Sequence, residues 1–188
     1  MTIDYGNASE KNMLINEGAV YIGDFTDVQA TKGYVEGLKD KVLGYFEDKL
    51  TINIKPKIDV IKNAARKVKG WQRISEWDVK ITGDLLDLNE KLIESSLLDK
   101  VGEGHYVANY GIIEEEKYKD VLVVGENKSG DPTIILIRDV FNKEGIKFDM
   151  KGKENASFKI SLENAYDGKI KPVEVFSNFA QMVISKSE

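Results

Sequence analysis

The chain has no cysteine. Disulfides, thiolate metal sites and a cysteine nucleophile are therefore excluded together. It has a single histidine, His105, in a glycine-flanked stretch between Gly102 and Tyr106. Most general-base, triad and metal mechanisms draw on histidine, and here the one candidate reads as an exposed loop or strand-start residue. No catalytic residue, cofactor site or metal site is assigned. No apolar run approaches the ~18 residues of a membrane-spanning helix. Met1 to Ser9 lacks a basic end followed by an apolar stretch, so neither a membrane span nor a secretory signal is expected. No phosphate-loop or Gly-x-Ser-x-Gly pattern occurs, and Gly102-Glu103-Gly104 lacks the third glycine and the preceding strand of a dinucleotide fingerprint. The net charge of -5 argues against a surface that holds nucleic acid by counterion release.

What is present is a soluble, globular composition. The 188 residues are 41% hydrophobic and 31% charged, which predicts one domain over 1–188 with a substantial core. The strongest pattern is a pair of long alternating segments. From Leu50 to Ile61, Ile52, Ile54, Ile58 and Val60 share one parity with Pro56, and Thr51, Asn53, Lys55, Lys57 and Asp59 share the other. From Trp71 to Asp84 the period returns: Trp71, Trp77, Val79 and Ile81 fall on one side, Gln72, Glu76, Asp78, Lys80, Thr82 and Asp84 on the other. A period of two places side chains on opposite faces of a sheet. A 12-residue strand spans roughly 40 Å, about twice the usual length. The basic stretch between them, with Lys62, Arg66, Lys67 and Lys69, predicts the tip of a long hairpin over 50–86.

Around this hairpin the expected elements are a terminal arm over 1–16, a buried strand at Gly18–Gly23 and an extended, partly helical loop over 30–49. Tyr34, Leu38, Val42 and Phe46 form a helical stripe there, but Gly33, Gly37 and Gly44 interrupt it, each at about 1 kcal/mol within a helix. A helix is predicted over 87–101, with Asp87 and Glu90 as a capping box and Gly102 as its stop. His105–Asn109, Val121–Gly125, Thr133–Phe141, Ile146–Met150, Phe158–Leu162 and Val173–Phe176 read as further strands. The expected fold is mainly β with one flanking α-helix: two packed antiparallel sheets, a sandwich or barrel.

Several constellations have plainer readings than chemistry. Asp84, Asp87 and Glu90 are near one another, as a hard cation would want, but they straddle a strand-to-helix junction where acids are favoured. Glu114-Glu115-Glu116 beside Lys117 and Lys119 reads as a solvated loop. Asn127 to Asp131 lacks the alternating acids and distal glutamate of a calcium loop and reads as a hairpin turn. Trp71 and Trp77 suit base stacking, yet on an apolar parity they read as core or interface residues. The basic tip suits either phosphate or an acidic neighbour.

The order of elements resembles the tail tube proteins of tailed bacteriophages. The resemblance rests on Gly18-Ala19-Val20-Tyr21-Ile22-Gly23-Asp24, Ala30-Thr31-Lys32-Gly33, the long hairpin with Val68-Lys69-Gly70 near its turn, Leu85 to Leu98, Pro132 to Asp139 before a glycine-containing turn, and Asn164-Ala165-Tyr166-Asp167. It covers about Leu14 to Phe176; Tyr34 to Glu47 is longer than the short link such a pattern has there. The resemblance implies a homo-oligomer: hexameric rings that stack, with the long strands joined around each ring into an inner β-barrel that DNA crosses without specific binding. It further implies a virion tail protein assembled in the bacterial host cytoplasm, with tail terminator, tape measure and baseplate or tip proteins as partners. Tube subunits of contractile tails and of type VI-like injection particles share the fold and are the nearest alternative. A monomeric β-sandwich binding module, or an enzyme using His105 or a carboxylate pair, is the alternative of another class. In a ring, the polar parity (Lys55, Lys57, Asp59, Glu76, Asp78, Lys80 and Asp84) would line the lumen, and Lys62, Arg66, Lys67 and Lys69 would form the ring–ring contact. Four acids against three bases would make that wall slightly acidic.

Overall fold

The computed structural model describes residues 14–44, 46–61, 70–86, 88–150, 157–165 and 170–178. Its strands are β1 (Leu14–Gly23), β2 (Val42–Gly44), β3 (Phe46–Val60), β4 (Gln72–Leu85), β5 (Leu98–Gly102), β6 (His105–Ala108), β7 (Lys119–Asn127), β8 (Pro132–Asn142), β9 (Lys147–Asp149), β10 (Ser157–Asn164) and β11 (Val173–Ser177); its helices are α1 (Lys32–Glu36) and α2 (Glu90–Ser95). One large antiparallel sheet runs β2-β1-β7-β8-β10-β4-β3, with β11 added to β8 and β9 to β10, while β5 and β6 form a separate hairpin.

The apolar runs explain the order. Val121 to Val124 are all buried, as are Ile134, Leu136 and Ile137. Strands apolar on both faces must be covered on both faces, so β7 and β8 take the centre. On one face Val20, Ile22, Val121, Val123 and Ile137 meet Val79, Ile81, Ile160 and Leu162 in a single cluster. β1 and β4 have three strands between them in the sheet, so they meet only because the sheet coils over itself. β8 is where it turns. It pairs with β7 as far as Val140, while on its other side β11 pairs up to Ile137 and β10 pairs from Val140 to Asn142. Asp139 between them has φ 52°, a left-handed conformation uncommon outside glycine. The coil stops short of closure: among the described residues β2 and β3 remain edges and the sheet does not close into a barrel.

The mainly β, antiparallel expectation holds, with differences of detail that have local causes. There are two helices among the described residues, not one, and the second sheet is only the small β5–β6 hairpin. The segment 30–49 is not an excursion. Thr31 caps α1 by accepting a hydrogen bond from the Tyr34 amide at 3.3 Å, β2 pairs with β1, and β3 already starts at Phe46. Phe25, Leu38, Tyr34 and Val35 cover the outer face of the sheet over Tyr21, Leu122, Val124, Ile134 and Leu136. The terminal arm likewise ends sooner than expected, because Leu14 and Ile15 pair with Asn127 and Glu126 as part of β1.

The helix expected over 87–101 is short. Asp87 lies outside the described residues, and the N-cap is Asn89, whose side chain accepts from the Leu92 amide at 3.0 Å. Ser95 and Ser96 both donate their hydroxyls to the Leu92 carbonyl, at 2.8 and 2.9 Å, an alternative to the next helical turn. Leu97 then takes φ 64° and the chain leaves as β5. Gly102 ends that strand rather than the helix. Gly83 is required for close approach: a Cβ there would stand 2.7 Å from the Phe46 ring.

Ile81 is 1% exposed at the centre of the main core. Ile81→Ala is expected to cost about 2–5 kcal/mol, and Lys55→Ala, on the opposite parity and exposed, under about 0.5 kcal/mol. Urea denaturation of the two variants checks this; equal costs would reverse the assigned faces.

Candidate functional site

β3 has 15 residues and β4 has 14, and the rest of the sheet does not follow them to their ends. β10 pairs with β4 only from Lys80 to Leu85. At that limit Asn164 closes the ladder: its side-chain oxygen accepts from the Val79 amide at 2.9 Å, and its amide group donates to the Trp77 carbonyl at 3.4 Å. From Gln72 to Glu76, β4 has only β3 beside it among the described residues, and β3 is an edge strand throughout. The outer half of the hairpin is thus a two-stranded arm, about 15 Å long from Pro56 to Val60, with both backbone edges unpaired among the described residues.

The arm is amphipathic. Ile52, Ile54 and Trp77 lean on the main core. Beyond them Ile58 and Ile74 face each other in register, each 54% exposed, with Val60 beside them at 47%. The opposite face carries cross-strand polar pairs: Asn53 with Lys80, Lys55 with Asp78, Lys57 with Glu76. Lys57 Nζ lies 3.1 Å from Glu76 Oε2, and this hydrogen bond raises the lysine above its ordinary pKa. Closer to the body, Lys80 reaches Glu144 at 2.8 Å and Glu163 at 3.2 Å, and Lys143 reaches Glu163 at 3.1 Å. Lys159 and Glu163 of β10 stand in register with Asp84 and Lys80 and extend this polar face.

Lys55, Lys57, Asp59, Glu76, Asp78, Lys80 and Asp84 therefore do share one face. One member was not visible in the alternation. Lys57 pairs with Glu76, but Ile58 pairs with Ile74, so Ser75 is an extra residue; its hydroxyl donates to the Lys57 carbonyl at 3.2 Å. Such a bulge reverses the parity of everything beyond it. Arg73, opposite Asp59, joins the polar face, and Gln72 and Ile74 join the apolar one. Trp71 and Trp77 consequently fall on opposite faces, against the parity expected. With Arg73 the face holds four acids and four bases, so it is neutral rather than slightly acidic. Lys62, Arg66, Lys67 and Lys69 lie outside the described residues.

A second group of cations lies beside α2. A cleft of about 440 Å³ beside α2 is lined by Lys91, Lys100, Lys117 and Lys119. Lys91 donates to the Asp40 and Val42 carbonyls, Lys100 pairs with Glu90, Lys117 with Asp99 and Lys119 with Asp24. Glu90 belongs to this network: hydrogen bonds from Lys100 and then Tyr106 hold it below the ordinary carboxylate value. His105 is exposed on β6.

No family model matches the sequence, and no curated protein matches it. Among solved structures, a chain of the "Virion of native gene transfer agent (GTA) particle" is similar in shape, at 10% identity and a TM-score of 0.44, covering 84% of this chain and 95% of that one. A likeness of that size leaves the function to be read from the residues themselves.

The Lys80 cluster makes a pH prediction. Glu144 is held below its ordinary pKa, first by the hydrogen bond from Lys80. For Glu163 burial pushes upward, and the bonds from Lys143 and Lys80 outweigh it. A carboxylate with a depressed folded-state pKa contributes stability that is complete above the unfolded value and lost as pH falls through the folded one. The thermal midpoint should therefore drop in acid below about pH 4.3, and less steeply for Glu144→Gln/Glu163→Gln. Parallel melting profiles for the two proteins would exclude this cluster as the source.

Proposed function

We propose that the chain is the subunit of a phage-type tail tube. The observation that carries this reading is the β3–β4 arm, which leaves the body with an apolar face uncovered and two edges unpaired among the described residues. A lone two-stranded arm is marginal in water, and a long unpaired edge invites another strand. Both features are explained if the arm of one copy meets the arm of the next. Ring closure pairs the edges, because a heterologous contact repeated around an axis consumes every free edge. Covering Ile58, Val60 and Ile74, already half-buried, contributes about 3 kcal/mol per copy.

In this reading the apolar face of the arm packs outward against neighbouring bodies, and the polar face lines a bore. The rings are hexameric and stack, as the sequence resemblance implies, and DNA passes through them. The neutral face suits a conduit. Each free cation would add a phosphate contact and hold the passing strand, whereas Lys57 and Lys80 are already paired with carboxylates. The protein is then a virion tail component assembled in a bacterial host, working beside terminator, tape measure and tip proteins, with no catalytic step of its own.

Negative-stain microscopy and size-exclusion chromatography of the purified protein test this directly. Rings are expected, lengthening to tubes as concentration rises. Ile58→Asp/Ile74→Asp should abolish them while leaving the circular dichroism spectrum and melting of the monomer unchanged, since both side chains are exposed in the isolated fold. A wild-type protein that stays monomeric at millimolar concentration overturns the reading.

A further inference from the structure

In an antiparallel pair the N–H and C=O of one residue point to the same side, and that side alternates along the strand. Hydrogen bonds fix the alternation in the arm. The Ile61 amide donates to the Trp71 carbonyl at 3.0 Å, and the Lys57 carbonyl accepts from the Ser75 hydroxyl of β4 at 3.2 Å. Odd-numbered residues of β3 therefore face β4, and Leu50, Ile52, Ile54, Pro56, Ile58 and Val60 turn their backbone groups to the free edge. On β4, Trp71 faces β3, so Gln72 and Ile74 face outward. Beyond the bulge Trp77 and Val79 also face outward, because Asn164 bonds the Trp77 carbonyl and the Val79 amide.

Each outward row has a stop. Proline has no N–H, so the donors of the β3 edge are interrupted at Pro56, whose nitrogen is turned to the open side as in other edge strands. On β4 the row ends where Asn164 occupies Trp77 and Val79, and β10 takes over from Lys80. Gln72 and Ile74 are the outward residues of the β4 edge that no described strand or side chain engages.

We infer that Gln72 and Ile74 of one copy pair with Ile54 and Ile52 of β3 in the next copy. This rests on the tube reading and sets the register of its copy-to-copy contact. Rotation about a ring axis preserves strand direction, so β4 meets the neighbouring β3 antiparallel. Within the chain Gln72 stands opposite Val60; between copies it stands opposite Ile54, so the neighbour is slid toward the end of the arm by about 20 Å at ~3.3 Å per residue. The slide is an even number of residues, because an odd one sets Ile74 against the polar parity. With no slide, the neighbour's Leu50 to Asn53 would run beside Gly83 to Lys80, where β10 already lies, and a sheet that closes into a barrel has to stagger its register. A slide of about two residues puts Arg73 opposite Lys57, and one of about four puts it opposite Lys55, like charges directly across from each other. Those slides also bring Pro56 opposite Ile74 or Gln72, leaving that residue's carbonyl without a donor. In the inferred register Arg73 stands opposite Asn53, and Pro56 has passed the end of the row. Leu50, where β3 takes up its regular register with its own β4, arrives opposite Trp77. Longer slides shorten the paired stretch.

The absence of cysteine makes disulfide trapping clean, and the Cα separation of about 5.5 Å in such a pair suits a disulfide. Gln72→Cys chains are mixed, at a concentration at which wild type assembles, with chains carrying Ile52→Cys, Ile54→Cys, Pro56→Cys, Ile58→Cys or Val60→Cys, and oxidised. Non-reducing electrophoresis should show a mixed dimer with Ile54→Cys that is lost with the other four and absent from dilute, unassembled protein. Ile74→Cys mixed with Ile52→Cys should give the same product. A dimer strongest with Val60→Cys means that the arms repeat their internal register and overturns the slide. One strongest with Pro56→Cys or Ile58→Cys overturns the exclusion by Pro56 and Arg73, and one strongest with Ile52→Cys overturns the inferred register in favour of a longer slide. Rings or tubes that give no mixed dimer with any partner overturn the pairing of β4 with β3 and leave the tube reading standing; failure of wild type to assemble overturns both.

Discussion

The shortness of one ladder governs this molecule. β10 accompanies β4 for the six residues from Lys80 to Leu85 and then stops at Asn164, whose side chain satisfies the Val79 amide and Trp77 carbonyl where the next strand residue would have done so. Buried backbone groups are nearly always paired, and an amide side chain at a strand end is an economical way to end a ladder cleanly. Had β10 run on, the arm would be an ordinary interior strand pair. Because it stops, the same alternation that builds the core around Val79 and Ile81 continues past the core into solvent. The body and the arm are one pattern cut at one place.

That cut also explains why the rest of the chain is folded so tightly around the opposite edge. The sheet coils about the bend at Asp139 so that β1 and β7 cover β4 and β10, and the outer face of β1, β7 and β8 is then covered by residues 25–42. Arg138 fastens the bend: its guanidinium donates to Asp120 at 2.6 Å and to the Phe25 carbonyl at 3.0 Å. Asn142 fastens the next turn, donating to Ser96 and to the Gly145 carbonyl and accepting from the Ser161 amide. These polar nodes fasten the body on the side away from the arm, where β2 is the other edge of the sheet.

Long-period features were legible in the sequence and single-residue irregularities were not. Alternation over a dozen residues identified β3, β4 and their polar face, because a buried face forces the pattern to persist. The bulge at Ser75 left no composition signal: Ser75 and Glu76 are both polar, and the parity change appears only in the register with Lys57 and Ile58. Arg73 was therefore missed as a member of the polar face. The helix after β4 was overextended because Ile93, Leu97 and Val101 repeat at helical spacing, whereas Ser95 and Ser96 capture the Leu92 carbonyl and Leu97 turns left-handed. The segment 30–49 read as an extended, partly helical loop because its glycines break a helix; in the fold Gly37 caps the end of α1 and Gly44 ends β2. Capping and turn chemistry decided each of these places, and a period-based reading averages over it.

Arg73 also changes what the polar face means. Counted by alternation, that face carried one excess negative charge; counted by register it is balanced, and bases stand opposite acids across the strands. Asp59 stands opposite Arg73, Lys57 opposite Glu76, Lys55 opposite Asp78. A wall with this register has no net field to repel a polyanion, and its Lys57 and Lys80 are held by carboxylates. If copies of the arm close a ring, passage depends on that local pairing and not on a repulsive lining. Long-range repulsion is screened within about 8 Å at physiological ionic strength, so in a bore wider than that it would vary with distance from the wall. Pairing between neighbouring side chains does not. Cross-strand neutrality is thus the more robust of the two ways to let a charged polymer slide past a protein surface.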